Sequence, residues 1–126
     1  MSRAVHFEVH ATDPERAADF YRTVLGWTVE RRGDQDYWVV TTGPDDQPGI
    51  NGGIVRRRGP APEPDAPVNG YVVTHDVADI DATIKIALDN GATVALEKST
   101  VEGVGILAYL LDPDRNIFGL LQPEPA

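Results

Sequence analysis

The sequence predicts an α+β fold built from two successive β-α-β-β-β modules. Sliding the 126-residue chain against itself by 65 positions sets Val-His-Phe-Glu-Val-His (5–10) on Gly-Tyr-Val-Val-Thr-His (70–75). In that register Ala17 meets Ala82, Gly26 meets Gly91, and Thr28-Val29 meet Thr93-Val94. A repeat of this length is too long for a solenoid unit and fits an internally duplicated domain. Between the copies, residues 59–67 hold four prolines in nine positions, which suits a stiff extended linker and no regular structure. The modules therefore cover about 3–58 and about 68–122 of one domain.

Each element has a local reason. Residues 5–9 alternate, with Phe7 and Val9 on one face and His6, Glu8 and His10 on the other, as a strand requires. Asp13 reads as a helix N-cap and Pro14 as the first helical residue. Ala17, Phe20, Tyr21, Val24 and Leu25 recur at helical spacing as an expected buried stripe, and Gly26 as a left-handed stop. Strands are expected at 27–31, 36–42 and 50–56, with turns at Gly33-Asp34 and 43–46. The second module repeats the order. It has a strand at 71–75, then a helix at 79–90 with Ile80, Ile84, Ala87 and Leu88 inward, stopped by Gly91. Strands at 93–97, 104–111 and 116–121 follow. Asn116 is the residue expected to take a positive φ in the turn at 112–116.

Composition narrows the function. A net charge of −9 and a pI near 4.6 oppose nonspecific binding to nucleic acid or anionic lipid. The trio Arg56-Arg57-Arg58 is too short to reverse that and reads as a solvated loop edge. The absence of cysteine removes disulfides, thiolate metal sites and a catalytic thiol. No apolar run approaches the ~18 residues of a membrane span, and Met-Ser-Arg-Ala-Val-His has no signal-peptide core, so a cytoplasmic setting is expected.

His6-Phe7-Glu8-Val9 before Asp13-Pro14-Glu15-Arg16-Ala17, then Phe20-Tyr21 and Val24-Leu25-Gly26-Trp27, form one set of marks. Residues 112–120, Asp-Pro-Asp-Arg-Asn-Ile-Phe-Gly-Leu, form the second. On these marks nearly the whole chain resembles the vicinal oxygen chelate superfamily, which includes glyoxalase I, bleomycin-resistance proteins and extradiol dioxygenases. The resemblance implies that each module curls into half of an incomplete barrel whose concave interior holds a ligand. It also implies a homodimer, because small members commonly complete their cavities with a partner chain.

Metal-dependent members place one ligand on the first strand and one on a later strand of each module. By the 65-residue register these positions fall on His6, on Tyr71, within 49–54, and on Gly119. Only His6 is a usual ligand, whereas a catalytic divalent ion needs about three protein ligands. The expected function is therefore binding of a small molecule in the cavity with no metal or other cofactor. The alternative is a divalent-metal-dependent lyase, isomerase or dioxygenase, and a regulatory dimer with a vestigial cavity is a third reading.

The residues expected to face the ligand are His6, Glu8, His10, Trp38, Tyr71 and Tyr109. His6, Glu8 and His10 share a strand face at ~6–7 Å steps, a spacing that suits a polar anchor better than one ion. Glu8 in a partly apolar cavity is the candidate general base. Tyr37 and Trp38 lie on opposite faces, so one of them faces the cavity. Tyr109 is a second aromatic wall, and His75 a strand-end histidine. Gly49, Gly52 and Gly53 mark a bulge or a close backbone approach.

Overall fold

A computed structural model describes residues 2–125. They form two compact units, residues 6–71 and residues 72–125, the latter joined by residues 2–5. Elements run β1 (Ala4–Ala11), α1 (Pro14–Leu25), β2 (Thr28–Arg31), β3 (Tyr37–Thr41) and β4 (Asn51–Arg56). The order repeats as β5 (Val72–Asp76), α2 (Ile80–Asp89), β6 (Thr93–Val101), β7 (Gly105–Leu111) and β8 (Ile117–Pro123). The α+β fold of two β-α-β-β-β modules is thus present. Residues 57–71 contain no helix or strand.

Within the first module the strands lie in the order β2-β3-β4-β1, with β1 parallel to β4 and the other pairs antiparallel. The second module gives β6-β7-β8-β5, again with its first strand parallel to its last. A parallel first-to-last pairing needs a crossover, which each helix supplies.

The Asp13 carboxylate accepts from Arg16 N–H at 3.1 Å, and Asp79 does the same for Ala82 at 3.1 Å. Gly26 closes α1 at φ 70°, its N–H reaching the Arg22 carbonyl. One helix face is corrected. Phe20, Val24 and Leu25, expected inward, are 56%, 57% and 52% exposed. The line that meets the sheet is Pro14, Ala18 and Tyr21, where the small Ala18 lets the helix approach closely. Phe20 stands two positions beyond Ala18, about half a turn away at 3.6 residues per turn. Leu88 of α2 is likewise exposed, while Ile84 and Ala87 pack on the core.

The first core gathers Phe7, Val9, Val29, Trp38, Val40 and Ile54 around Ala18. The second gathers Val77, Ile80, Ala108, Leu110 and Leu120. β6 is longer than expected and exposed along its length, and Arg115 rather than Asn116 takes the positive φ, at 67°. In that turn the Asp112 carboxylate accepts from Asp114 N–H and Asn116 N–H, which lowers its pKa, the bond from Asn116 contributing most.

Candidate functional site

Alternation divides the first module's residues between two faces. Phe7 and Val9 of β1, Trp38 and Val40 of β3 and Ile54 of β4 enter the core. The opposite face then receives His6, Glu8 and His10 from β1, Tyr37 and Val39 from β3, and Asn51 and Gly53 from β4. Glu8 and Val39 flank Gly53 in register, one on each neighbouring strand. A Cβ at Gly53 would collide with the Tyr37 ring, so glycine is what lets that ring lie across β4 towards β1. Tyr37 Oη then lies 3.2 Å from His6 Nε2, and the same nitrogen is 3.7 Å from Glu8 Oε2. The His6 and Glu8 side chains are 31% and 16% exposed, so the cluster is accessible to a small molecule.

Burial, reinforced by the Glu8 charge and opposed by Arg32, pushes the Tyr37 phenol up to about 12. It stays protonated at neutral pH and can donate to a neutral imidazole or to a ligand oxygen. The Arg32 guanidinium carbon lies 5.1 Å from the centre of the Tyr37 ring.

The second module carries a counterpart. Thr74 and Tyr109 flank Gly119 in register, and a Cβ there would come within 2.7 Å of Thr74 Oγ1 and 3.0 Å of the Tyr109 ring. Thr74 is the buried polar residue of that module. Glu8 with Gly53 therefore corresponds to Thr74 with Gly119, an offset of 66 (74 − 8 and 119 − 53). The two N-caps give the same offset, 79 − 13. The 65-residue register holds just after the helices, at Gly26 with Gly91 and Thr28 with Thr93, and the offset is 66 again at Gly53 with Gly119.

That one-residue difference decides a face, since neighbouring strand residues point oppositely. The position equivalent to His6 is Val72, and Tyr71 leaves the polar face. Tyr71 instead stacks on Phe7, with ring centres 5.4 Å apart, and its hydroxyl donates to Tyr21 Oη at 3.1 Å. Desolvation, with that hydrogen bond, raises its pKa to about 12.

Trp38, expected to face a ligand, is corrected too. It is 1% exposed in the core, and its indole N–H donates to Glu15 of α1. His10 lies on the Glu8 face at the exposed end of β1, where its carbonyl accepts from Arg57 at 2.8 Å. His75 lies on the core side, its Nδ1 3.0 Å from the Gly119 carbonyl and its ring edge-on to Phe118. The structure thus brings together His6, Glu8 and, in place of Trp38, its neighbour Tyr37. Its signal was present in the alternation of β3, once Trp38 is assigned to the core.

Among the described residues no three His, Asp or Glu side chains group closely enough to share a metal ion. A small polar pocket of about 150 Å³ lies in the 42–51 loop, reaching Asn51, the register partner of His6.

The family profile of the glyoxalase/bleomycin resistance protein/dioxygenase superfamily matches residues 3–120. The chain belongs to this superfamily. Two curated relatives agree, the proteins named "Putative glyoxylase CFP32" from Mycobacterium bovis and Mycobacterium tuberculosis. Each is 33% identical over 121 residues, 94% of this chain but 43% of the relative. The chain thus spans less than half the length of these curated relatives. A superfamily member from Vibrio splendidus 12B01 has a similar structure, at TM-score 0.65, 21% identity and coverage of 97% and 99% of the two chains. Methylmalonyl-CoA epimerase from Mycobacterium tuberculosis aligns at TM-score 0.64 and 16% identity, over 97% of this chain and 88% of its own. At such identities the likeness extends to the superfamily's fold alone.

Proposed function

We propose that this superfamily member binds a small organic molecule on the polar face of β1, β3 and β4, without a metal ion. The observation that carries the reading is the His6–Glu8–Tyr37 cluster, a hydrogen-bonding anchor held over Gly53. A partly exposed trio with a carboxylate, an imidazole and a phenol can orient a polar ligand from several directions.

The residues do not fit the four-ligand metal set of metal-dependent relatives. His6 has a metal-binding side chain, but its counterpart Val72 has none. Gly53 and Gly119, at the later-strand positions, are covered by Tyr37 and Tyr109. A carboxylate could not be added at either glycine without moving those rings.

A second reading is supported by Glu8, whose carboxylate is 16% exposed beside an imidazole and a phenol. That pairing suits proton transfer next to a carbonyl, and a structural neighbour is named methylmalonyl-CoA epimerase. We further propose a homodimer, since α1 leaves Phe20, Val24 and Leu25 exposed; the setting proposed is cytoplasmic. Sedimentation velocity at micromolar concentration should give twice the 13.7 kDa chain mass; a single monomeric species sinks the dimer.

The test of binding is a fragment screen read by ¹H–¹⁵N correlation spectra. Hits should move the resonances of His6, Glu8 and Tyr37, and His6→Gln or Tyr37→Phe should weaken them roughly tenfold, the worth of about one hydrogen bond. If no fragment moves these resonances, or hits ignore both substitutions, the reading fails.

A further inference from the structure

We propose that Arg32 is the anion anchor of this site and that its ligand is a short carboxylic acid bearing a second oxygen function. The inference rests on the reading of the His6–Glu8–Tyr37 cluster as a binding site and names the ligand class it takes.

Geometry sets Arg32 apart from its neighbours. Arg31 faces the other way, over the buried Trp38 ring at 4.8 Å, and pairs with Asp36 at 3.5 Å. Arg56 also pairs with Asp36, at 3.1 Å, and Arg22 with Asp19 at 2.8 Å. Arg32 makes no ion pair of that kind among the described residues. It follows β2, its N–H group is bound in the turn to the Tyr37 carbonyl at 2.9 Å, and its guanidinium lies over the Tyr37 ring. The row on this face is therefore Arg32, the Tyr37 ring, the Tyr37 hydroxyl with His6, and Glu8.

Other arginines, among them Arg57 and Arg58, also stand outside the ion pairs of the described residues; what marks Arg32 is that its charge lies over the Tyr37 ring beside the polar cluster. Its planar fork matches a carboxylate in two-point geometry. The Tyr37 ring spaces that charge from the phenol and imidazole, so a ligand bound at both ends carries an acid group at one end. Its other end carries a hydroxyl, carbonyl or second carboxyl oxygen that meets Tyr37 and His6. Glu8, 3.7 Å from His6 Nε2 and acting on the same phenol, repels a second full negative charge there and favours a hydroxyl or carbonyl.

The probes are 2-hydroxybutyrate and succinate, each compared with its amide, titrated into the ¹⁵N-labelled protein. Expected results are shifts at Arg32, including its Nε–H, and at Tyr37 and His6, with the acids binding more tightly than the amides. The hydroxy acid should bind more tightly than the diacid. Arg32→Gln should weaken the acids roughly tenfold and leave the amides unchanged, whereas Arg58→Gln, an exposed arginine on the linker side, should change neither. Arg32→Lys keeps charge but loses the fork and should fall between. Raising salt from ~0.05 to ~0.5 M should weaken the acids alone.

Equal binding of acids and amides, or acid binding unaltered in a folded Arg32→Gln protein, overturns the anion anchor. The cluster reading survives that outcome if His6 and Tyr37 still respond. Acids and amides that leave Arg32, Tyr37 and His6 all unmoved overturn both.

Discussion

Tyr37 shows how a single side chain takes its properties from three neighbours. Gly53 removes the atom that would block its ring, His6 Nε2 lies 3.2 Å from its hydroxyl, and burial raises its pKa to about 12. The Glu8 carboxylate opposes formation of a nearby phenolate, and the Arg32 guanidinium favours it. Glu8→Gln should therefore lower the Tyr37 pKa and Arg32→Gln should raise it further. Ultraviolet titration with Tyr37→Phe as the subtraction control measures both shifts. Movement of both variants in the same direction would show that these charges do not act on the phenol. The sign for stability follows from the raised folded value. The unfolded phenol ionises near 10, so this contribution is complete below that pH and is lost as pH rises from ~10 through ~12. Alkaline unfolding of Tyr37→Phe should accordingly begin at higher pH than that of the native chain.

At the scale of elements, the site depends on a side chain of β3, Tyr37, lying over a position of β4 with no side chain. Gly53→Ala should force the Tyr37 ring aside and destabilise the first module by about 1–3 kcal/mol, as overpacking does. Tyr37→Ala alone removes ring contacts, yet combined with Gly53→Ala it should cost less than the sum, because removing the ring removes the clash that the new methyl group would meet. Chemical denaturation of the four proteins measures the coupling, and strict additivity would mean that ring and glycine are not in contact. Elements were also the scale most legible in the sequence. Alternation in β1, the Asp13 cap and the helix-stopping Gly26 rest on neighbours within a few residues, and their elements lie where expected. Faces were harder to read. The stripe at Phe20 and Val24 has correct helical spacing, but the contact with the sheet follows Pro14, Ala18 and Tyr21, a choice made by packing. Tyr71 was misplaced for a related reason. A 65-residue register matches the helix ends, while strand pairing keeps the first strands 66 apart, and one residue reverses a strand's faces. His6 and Glu8 were legible because they lie on one short strand; Tyr37 joins them only through pairing across β4.

For the whole chain, duplication preserved the backbone more faithfully than the side chains. Both modules keep a capped helix, a parallel first-to-last strand pair and a glycine beneath a tyrosine. Their paired polar positions have diverged, Glu8 against Thr74 and His6 against Val72. A symmetric metal site needs donors from both copies, and the second copy offers valine and glycine at the two positions in question. On the proposed reading, ligand chemistry falls to the first module, where the Tyr37 phenol held over Gly53 can donate to a ligand without an ion. Untagged protein should therefore contain well under one equivalent of tightly held Zn²⁺, Ni²⁺, Mn²⁺ or Fe²⁺ by elemental analysis. Added divalent ions should leave the thermal midpoint unchanged, because an ion bound only to the native state must raise it by mass action. Fragment binding at Tyr37 should likewise survive dialysis against a chelator. A stoichiometric ion that raises the midpoint and disappears in His6→Ala would overturn the metal-free reading, since His6 is the donor that any such site would have to use.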